Sequence, residues 1–317
     1  MRKLVAPILI GLGAFLIAAA VVAQVWAPGQ IERTPLDTDN TTRLAGDAQV
    51  ATGPDLELQP TAVLAWSGNQ VDSKASTDHV AVWFTSLCVV RDEGGIDGCV
   101  RAKDPQGRLI SAETDVFATD RHTALTVPND GYVPPKTPQQ EGLQNKWPFG
   151  AEKTTYPVWD GVIGAAVDAR YTGTDEVDGL RTYVYRADAS AERVKVVGDV
   201  KGSYLQTTEY YVEPRTGAII NQVVHQERVA RGVGKILDLD LAFTDDQIRT
   251  NVDDAHANIG QLRLIEDIVP LVGYLAGGLA VVAGLALLLL GRRGRRVGQE
   301  GPEQVAAAAT PSAPRSS

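Results

Sequence analysis

Sulfur, imidazole and positive charge are in short supply in this chain, and each shortage excludes something. Two cysteines, Cys88 and Cys99, stand among 317 residues. They form no C-x-x-C unit and no histidine lies between them, so a redox dithiol or a thiolate metal site does not fit. The four histidines, His79, His122, His225 and His256, are scattered, with none in an H-x-x-x-H spacing. No G-x-S-x-G elbow, Walker loop or strand-placed Rossmann glycine pattern occurs. Catalytic, cofactor-binding and metal residues are therefore not assigned, and the chain reads as a non-enzyme without a cofactor. Basic residues run short between positions 32 and 267, where 23 Lys and Arg face 37 Asp and Glu. The resulting net charge of −14 makes nucleic acid, and anionic lipid headgroups in bulk, poor partners.

What the chain does have is two long apolar runs, one near each end. Residues 4–26 and 268–290 hold 23 uncharged positions each, and about 20 apolar residues suffice for a helix to cross the hydrocarbon core. Arg2 and Lys3 precede the first run, and Arg292, Arg293, Arg295 and Arg296 follow the second. Basic flanks favour the cytoplasmic side. The expectation is a two-pass protein of the cell membrane, both termini cytoplasmic and the main domain extracytoplasmic. A cleaved signal peptide is the alternative for the first run, with small residues at Val21-Val22-Ala23, but the run exceeds the usual signal core of roughly 7–15 residues. It is read as an uncleaved signal anchor. Gly273 and Gly277 in the second run, with Ala280 and Gly284, give a small-residue face of the kind that packs against another helix, such as the first run with Gly11 and Gly13.

On the outer side disulfides persist, so Cys88 and Cys99 are expected to bridge. The turn-rich 91–98 segment between them and the strand-like 79–90 before them suggest a disulfide at the mouth of a β-hairpin. Segments 61–66, 80–90, 109–117, 181–185, 194–200, 204–212, 219–229 and 236–243 read as strands. The last is the clearest: Leu237, Leu239, Leu241 and Phe243 share one face and Asp238, Asp240 and Ala242 the other. One buried and one wet face is the mark of an antiparallel sheet. Glu213-Pro214-Arg215-Thr216-Gly217 is a turn between two of these strands. Residues 128–150 form a long Pro- and Gly-rich loop, either a binding lid or a packed surface connection. From 244 the period becomes helical, through Ile248, Val252, Ala255, Ile259, Leu262 and Ile265, with Thr244 and Gln247 placed as a capping box and Pro270 as a kink.

The expected division is a cytoplasmic stub (1–3), a transmembrane helix (4–26), a juxtamembrane connector (27–60), a β-rich extracytoplasmic domain (61–243), an amphipathic helix (244–267), a second transmembrane helix (268–290) and a disordered cytoplasmic tail (291–317). The fold class is mainly β, antiparallel and barrel-like, with some α.

The order of two terminal spans around Tyr156-Pro157-Val158-Trp159-Asp160, Gly179-Leu180-Arg181-Thr182-Tyr183-Val184-Tyr185 and Tyr210-Tyr211-Val212-Glu213-Pro214-Arg215-Thr216-Gly217 resembles the actinobacterial PorA (porin-like) family, mostly uncharacterised. That resemblance covers nearly the whole chain and implies a channel. The topology, with Val212-Glu213-Pro214-x-Thr216-Gly217, is also similar to the class B scavenger-receptor family, which implies an antiparallel barrel around a hydrophobic tunnel for lipid. A lipid-facing barrel needs apolar-out strands and aromatic girdles, whereas the clearest strand here has a wet face. The leading expectation is a cell-envelope protein whose outer domain binds or transfers a lipid or other amphiphile. The alternative is a porin-like channel or channel subunit. An envelope enzyme using Asp160 beside Trp159 and a structural anchor rank behind.

Overall fold

A computed structural model describes residues 2–53 and 55–297. The chain divides into two compact units, Pro28–Arg263 and the two terminal segments Met1–Ala27 and Leu264–Ser317.

The first unit is a ten-stranded antiparallel sheet. Its strands are β1 (Asp39–Thr52), β2 (Glu57–Val71), β3 (Val80–Arg91), β4 (Leu109–Asp120), β5 (Tyr156–Asp160), β6 (Ala165–Val177), β7 (Leu180–Val197), β8 (Val200–Val212), β9 (Ile219–Ala230) and β10 (Gly234–Phe243). They lie in the order β4-β3-β2-β1-β10-β9-β8-β7-β6-β5. First and last strands meet in the middle, so the chain enters and leaves the unit at the same end of the sheet. The sheet is a half-barrel whose outer strands β4 and β5 do not pair directly. Three isolated bridges join them instead, Thr119 to Thr126, Leu125 to Leu143, and Leu143 to Val158. The long 121–155 connection is thus a stitched seam between two sheet edges, which would otherwise offer unpaired backbone. Of the two readings for the 128–150 loop, packed connection is the one the structure realises.

Alternation places the apolar face inward. Leu237, Leu239 and Leu241 pack with Leu44, Ala48, Val63, Ala65, Val89 and Val224, while Asp238 and Asp240 lie on the opposite face. Charged residues line that outer face on other strands too, including Asp47, Asp168, Arg170, Arg186 and Asp188. Such strands cannot border hydrocarbon, where each Arg or Lys costs about 2–4 kcal/mol at mid-depth. Cys88 on β3 is bonded to Cys99 in the β3–β4 connection, with Cα atoms 5.8 Å apart.

Three strands were not legible, and one expected strand is interrupted by a turn. Residues 27–60, expected as a connector, contain β1, which pairs along its length with β2 and through Leu44–Val50 with β10. β1 hides because its inward positions include Gly46 and Ala48, which carry almost no hydrophobic signal. Gly46 is obligatory, since a side chain there would run into the Asp240 backbone. β6 hides for a similar reason, with Ala169 inward, and β5 because it is only five residues long and holds Pro157. The expected 194–200 strand breaks at Gly198-Asp199, where Gly198 has φ +52° and β7 turns into β8.

Two helices belong to the same unit, α2 (Pro28–Ile31) and α3 (Asp245–Arg263). The α3 face of Ile248, Val252, Ala255 and Ile259 packs on Leu180 and Ile220. Thr244 caps it, its Oγ1 accepting from the Gln247 amide at 3.2 Å. Gln247 does not complete a capping box: its Oε1 accepts from the Arg43 amide at 3.0 Å, tying the helix start to β1.

The second unit consists of α1 (Arg2–Val25) and α4 (Val269–Val297), with a π-helical turn at Leu264–Ile268 leading into α4. Pro270 follows that turn. A proline has no N–H for the carbonyl four residues back and its ring crowds that carbonyl, so a widened turn there accommodates it. Residues 291–297 continue α4, and the remainder of the expected tail, 298–317, lies outside the described residues. Both helices are long and apolar enough to cross a membrane.

Candidate functional site

Four glycines bring α1 and α4 together. A Cβ on Gly13 would lie 2.6 Å from the Gly277 carbonyl oxygen, and one on Gly277 2.8 Å from that of Gly13. Gly273 sits against Ala20 and Leu16, and Gly284 against Ile10 and Ala6. The helix axes approach this closely only because these positions lack side chains. Gly11 and Gly278 have open space around them, so of the two glycines on the first run only Gly13 serves the seam. Tyr274 donates its hydroxyl to Gln24 Oε1 at 2.8 Å. Leu4, Ile8, Phe15, Leu275, Leu279 and Val282 are exposed on the pair's outside, as lipid-facing residues must be.

In the sheet unit the expected turn is built from Glu213. Its carboxylate accepts the Arg215 amide at 3.0 Å, and the Thr216 amide and hydroxyl at 2.7 and 2.6 Å. Gly217 follows at φ +72°. The 143–151 segment docks on this turn through backbone bonds: Trp147 to Gly217, Gly150 to Arg215 and Ala151 to Pro214, at 2.8, 3.0 and 2.7 Å. The docking drives Trp147 into the half-barrel, 1% exposed, with ring centroids 5.3 Å from Tyr185 and 4.7 Å from Tyr210. Leu143 and Val158 join the same cluster. That part of the interior is filled by side chains.

Asp160, the carboxylate considered for catalysis, is spoken for. It is buried; Oδ1 accepts the amides of Val162 and Ile163 at 2.9 and 2.8 Å, and Oδ2 accepts the Tyr204 hydroxyl at 2.7 Å. Burial, with the Asp160 charge next, pushes the Tyr204 phenol far above its usual range. Three accepted hydrogen bonds give this buried carboxylate a structural role, holding a turn and tying β5 to β8. Asp246 and Asp254 border a polar groove of about 360 Å³ between β1 and α3, with Arg43 and Asn251; Asp246 is paired to Arg249.

Cross-strand geometry assembles a group that sequence spacing hid. His225 on β9 lies opposite Asp240 on β10, its Nδ1 2.8 Å from Asp240 Oδ1 and its Nε2 3.4 Å from Glu227 Oε1. His225, Asp238 and Asp240 place ligand-type atoms within 4.8 Å of one another. Lys235 sits 2.9 Å from both Glu227 and Asp238, so the acids already have a cation. The hydrogen bond that its Nδ1–H donates to the Asp240 carboxylate holds the His225 imidazole above its ordinary 6.5. A raised value means that this pairing stabilises the fold below the ordinary pKa and that its contribution fades as pH climbs through the folded value. The ring is partly solvated, so the effect on stability is small. An NMR titration of His225 is expected to show a midpoint above 6.5 that falls in Asp240→Asn; an unchanged midpoint in the variant would contradict the pairing.

A family model described as Porin PorA matches residues 5–286, from within α1 to within α4. The chain belongs to the Porin PorA family. The resemblance read from its turns and aromatics is thereby borne out. A relative of the same description, Porin PorA of Corynebacterium amycolatum, is 32% identical over 95 residues, 26% of this chain and 24% of that protein. The chain thus matches only about a quarter of that curated relative's length.

Proposed function

We propose that this PorA-family protein is a non-enzymatic, porin-like channel component whose conduction path lies between several copies. The observation that carries this reading is the closeness of α1 to α4. Backbone carbonyls fill the Gly13–Gly277 contact, leaving no lumen inside one helix pair, and the charged outer face of the sheet keeps the strands out of lipid. A pore of this architecture therefore needs several helix pairs around it. The family, and the name its Corynebacterium relative carries, weigh toward this reading over the amphiphile carrier, whose proposed tunnel is occupied around Trp147. The proposed topology keeps both ends cytoplasmic and the disulfide-bearing domain outside.

The segment between the two apolar runs, net charge −14 over residues 32–267, would gather cations within a Debye length, about 8 Å at physiological salt. Purified full-length protein in a planar bilayer should give stepwise conductance, with a reversal potential in a salt gradient shifted toward cations. The shift should shrink as ionic strength rises. Bilayers that stay silent while cross-linking finds oligomers in the same preparation would overturn the channel reading; co-purified lipid found by mass spectrometry of that silent protein would restore the carrier.

A further inference from the structure

The end of the sheet opposite the chain's entry and exit carries an amphiphilic tip. β8 runs 13 residues from Val200 to Val212, so this tip stands about 40 Å from the β8–β9 turn at roughly 3.3 Å per residue. Val197 pairs with Val200 and Lys195 with Lys201 across the β7–β8 turn. The Arg231 amide, in the neighbouring β9–β10 turn, donates to the Lys201 carbonyl at 3.0 Å, placing Val233 alongside. Val197, Val200 and Val233 are 55%, 44% and 50% exposed, the first two far outside what their β-branched neighbours on the inner face show. Arg193, Lys195, Lys201 and Arg231 surround them, all exposed. Of the two nearby acids, Asp199 is tied to Lys195 at 2.7 Å and Glu192 lies one residue from Arg193. The tip is therefore cationic in a domain that is otherwise strongly acidic. The β1–β2 turn at the same end carries Leu56 between Asp55 and Glu57 and does not extend the patch.

We propose that the β7–β8 and β9–β10 hairpin tips dock on an anionic lipid surface. Aliphatic side chains projecting beyond a ring of Lys and Arg suit the boundary between headgroups and acyl chains, where the valines bury and the cations stay with the phosphates. A protein partner fits poorly. No Trp or Tyr anchor of the kind that carries protein interfaces stands among the exposed side chains of the two tips. The domain's bulk acidity does not cancel the attraction, because charges more than about 8 Å away are largely screened at physiological salt.

The test uses the full chain held in phosphatidylcholine nanodiscs and mixed with vesicles that can be floated on a gradient. At physiological salt, vesicles containing phosphatidylglycerol should carry the protein upward and pure phosphatidylcholine vesicles should not. Lys201→Gln and Arg231→Gln should each weaken binding about fivefold, the equivalent of one surface charge, and Val197→Asp with Val233→Asp should abolish it. The two glutamine variants alter exposed side chains only and decide the matter if the aspartate variant fails to fold. Equal flotation on both vesicle types, none on either, or binding unchanged in the glutamine variants would overturn the proposal. Conductance does not enter the readout, so a silent channel assay leaves this result standing on its own.

Discussion

Trp147→Ala should lower the stability of the sheet unit by about 3–5 kcal/mol, the range for emptying a buried aromatic site. For a unit of this size that corresponds to a fall in melting temperature of roughly 6–20 °C. The indole packs on Tyr185 and Tyr210, a directly paired couple on the adjacent strands β7 and β8, and its own backbone is fixed to the Gly217 turn. No relaxation of one element alone can refill the space, because the loop is held by three backbone bonds that do not depend on the side chain. Trp147→Phe separates packing from polarity. The indole Nε1 is buried without an acceptor, so phenylalanine removes an uncompensated donor along with part of the ring. Its cost should stay below about 2 kcal/mol. A second readout follows from the seam: the alanine variant should expose the 121–155 connection to protease at temperatures where the wild type resists. A melting temperature left in place would mean that the loop is not part of the cooperative unit.

How much of this was legible in the sequence depends on where the information lies. β10 announced itself because Leu237, Leu239 and Leu241 alternate with Asp238 and Asp240, a local pattern. The Glu213–Gly217 turn was legible for the same reason, proline and glycine at their preferred positions. β1 was not, because its inward face is Leu44, Gly46 and Ala48 and the bulk opposite them comes from Leu239 and Leu241, some 190 residues away. A strand can leave its hydrophobic signature in its partner. The same limit hid His225 with Asp238 and Asp240, whose association exists only in the β9–β10 register. Trp147 was visible as an aromatic beside a proline in a long loop. Only the turn that receives its backbone explains why it points inward. The small-residue pattern on the second apolar run was readable, but sequence alone could not say that Gly13 is used and Gly11 is not.

Gly277→Leu should split α1 from α4, and the reason it cannot be absorbed lies in what the new side chain meets. The first methylene would lie 2.8 Å from the Gly13 carbonyl oxygen and 3.2 Å from the Ile17 amide nitrogen. Both are backbone atoms, so no rotamer change clears them and the helices must part. Spin labels on Phe15→Cys and Leu279→Cys, both exposed positions, report the separation without interference, since Cys88 and Cys99 are bonded to each other. The inter-label distance should lengthen and broaden in Gly277→Leu and in Gly13→Leu. It should stay unchanged in Gly278→Leu and Gly11→Leu, where an added Cβ meets nothing within 4 Å. Those two controls then carry a second consequence for the channel. Gly11 and Gly278 face away from the seam, where helix pairs from neighbouring copies would pack. A leucine at either position that abolishes conductance while the spin-label distance holds would place the pore's assembly contact on the outer face of the pair. Conductance that survives Gly277→Leu, with the helices shown to be apart, would mean that the ion path does not depend on the helix pair at all.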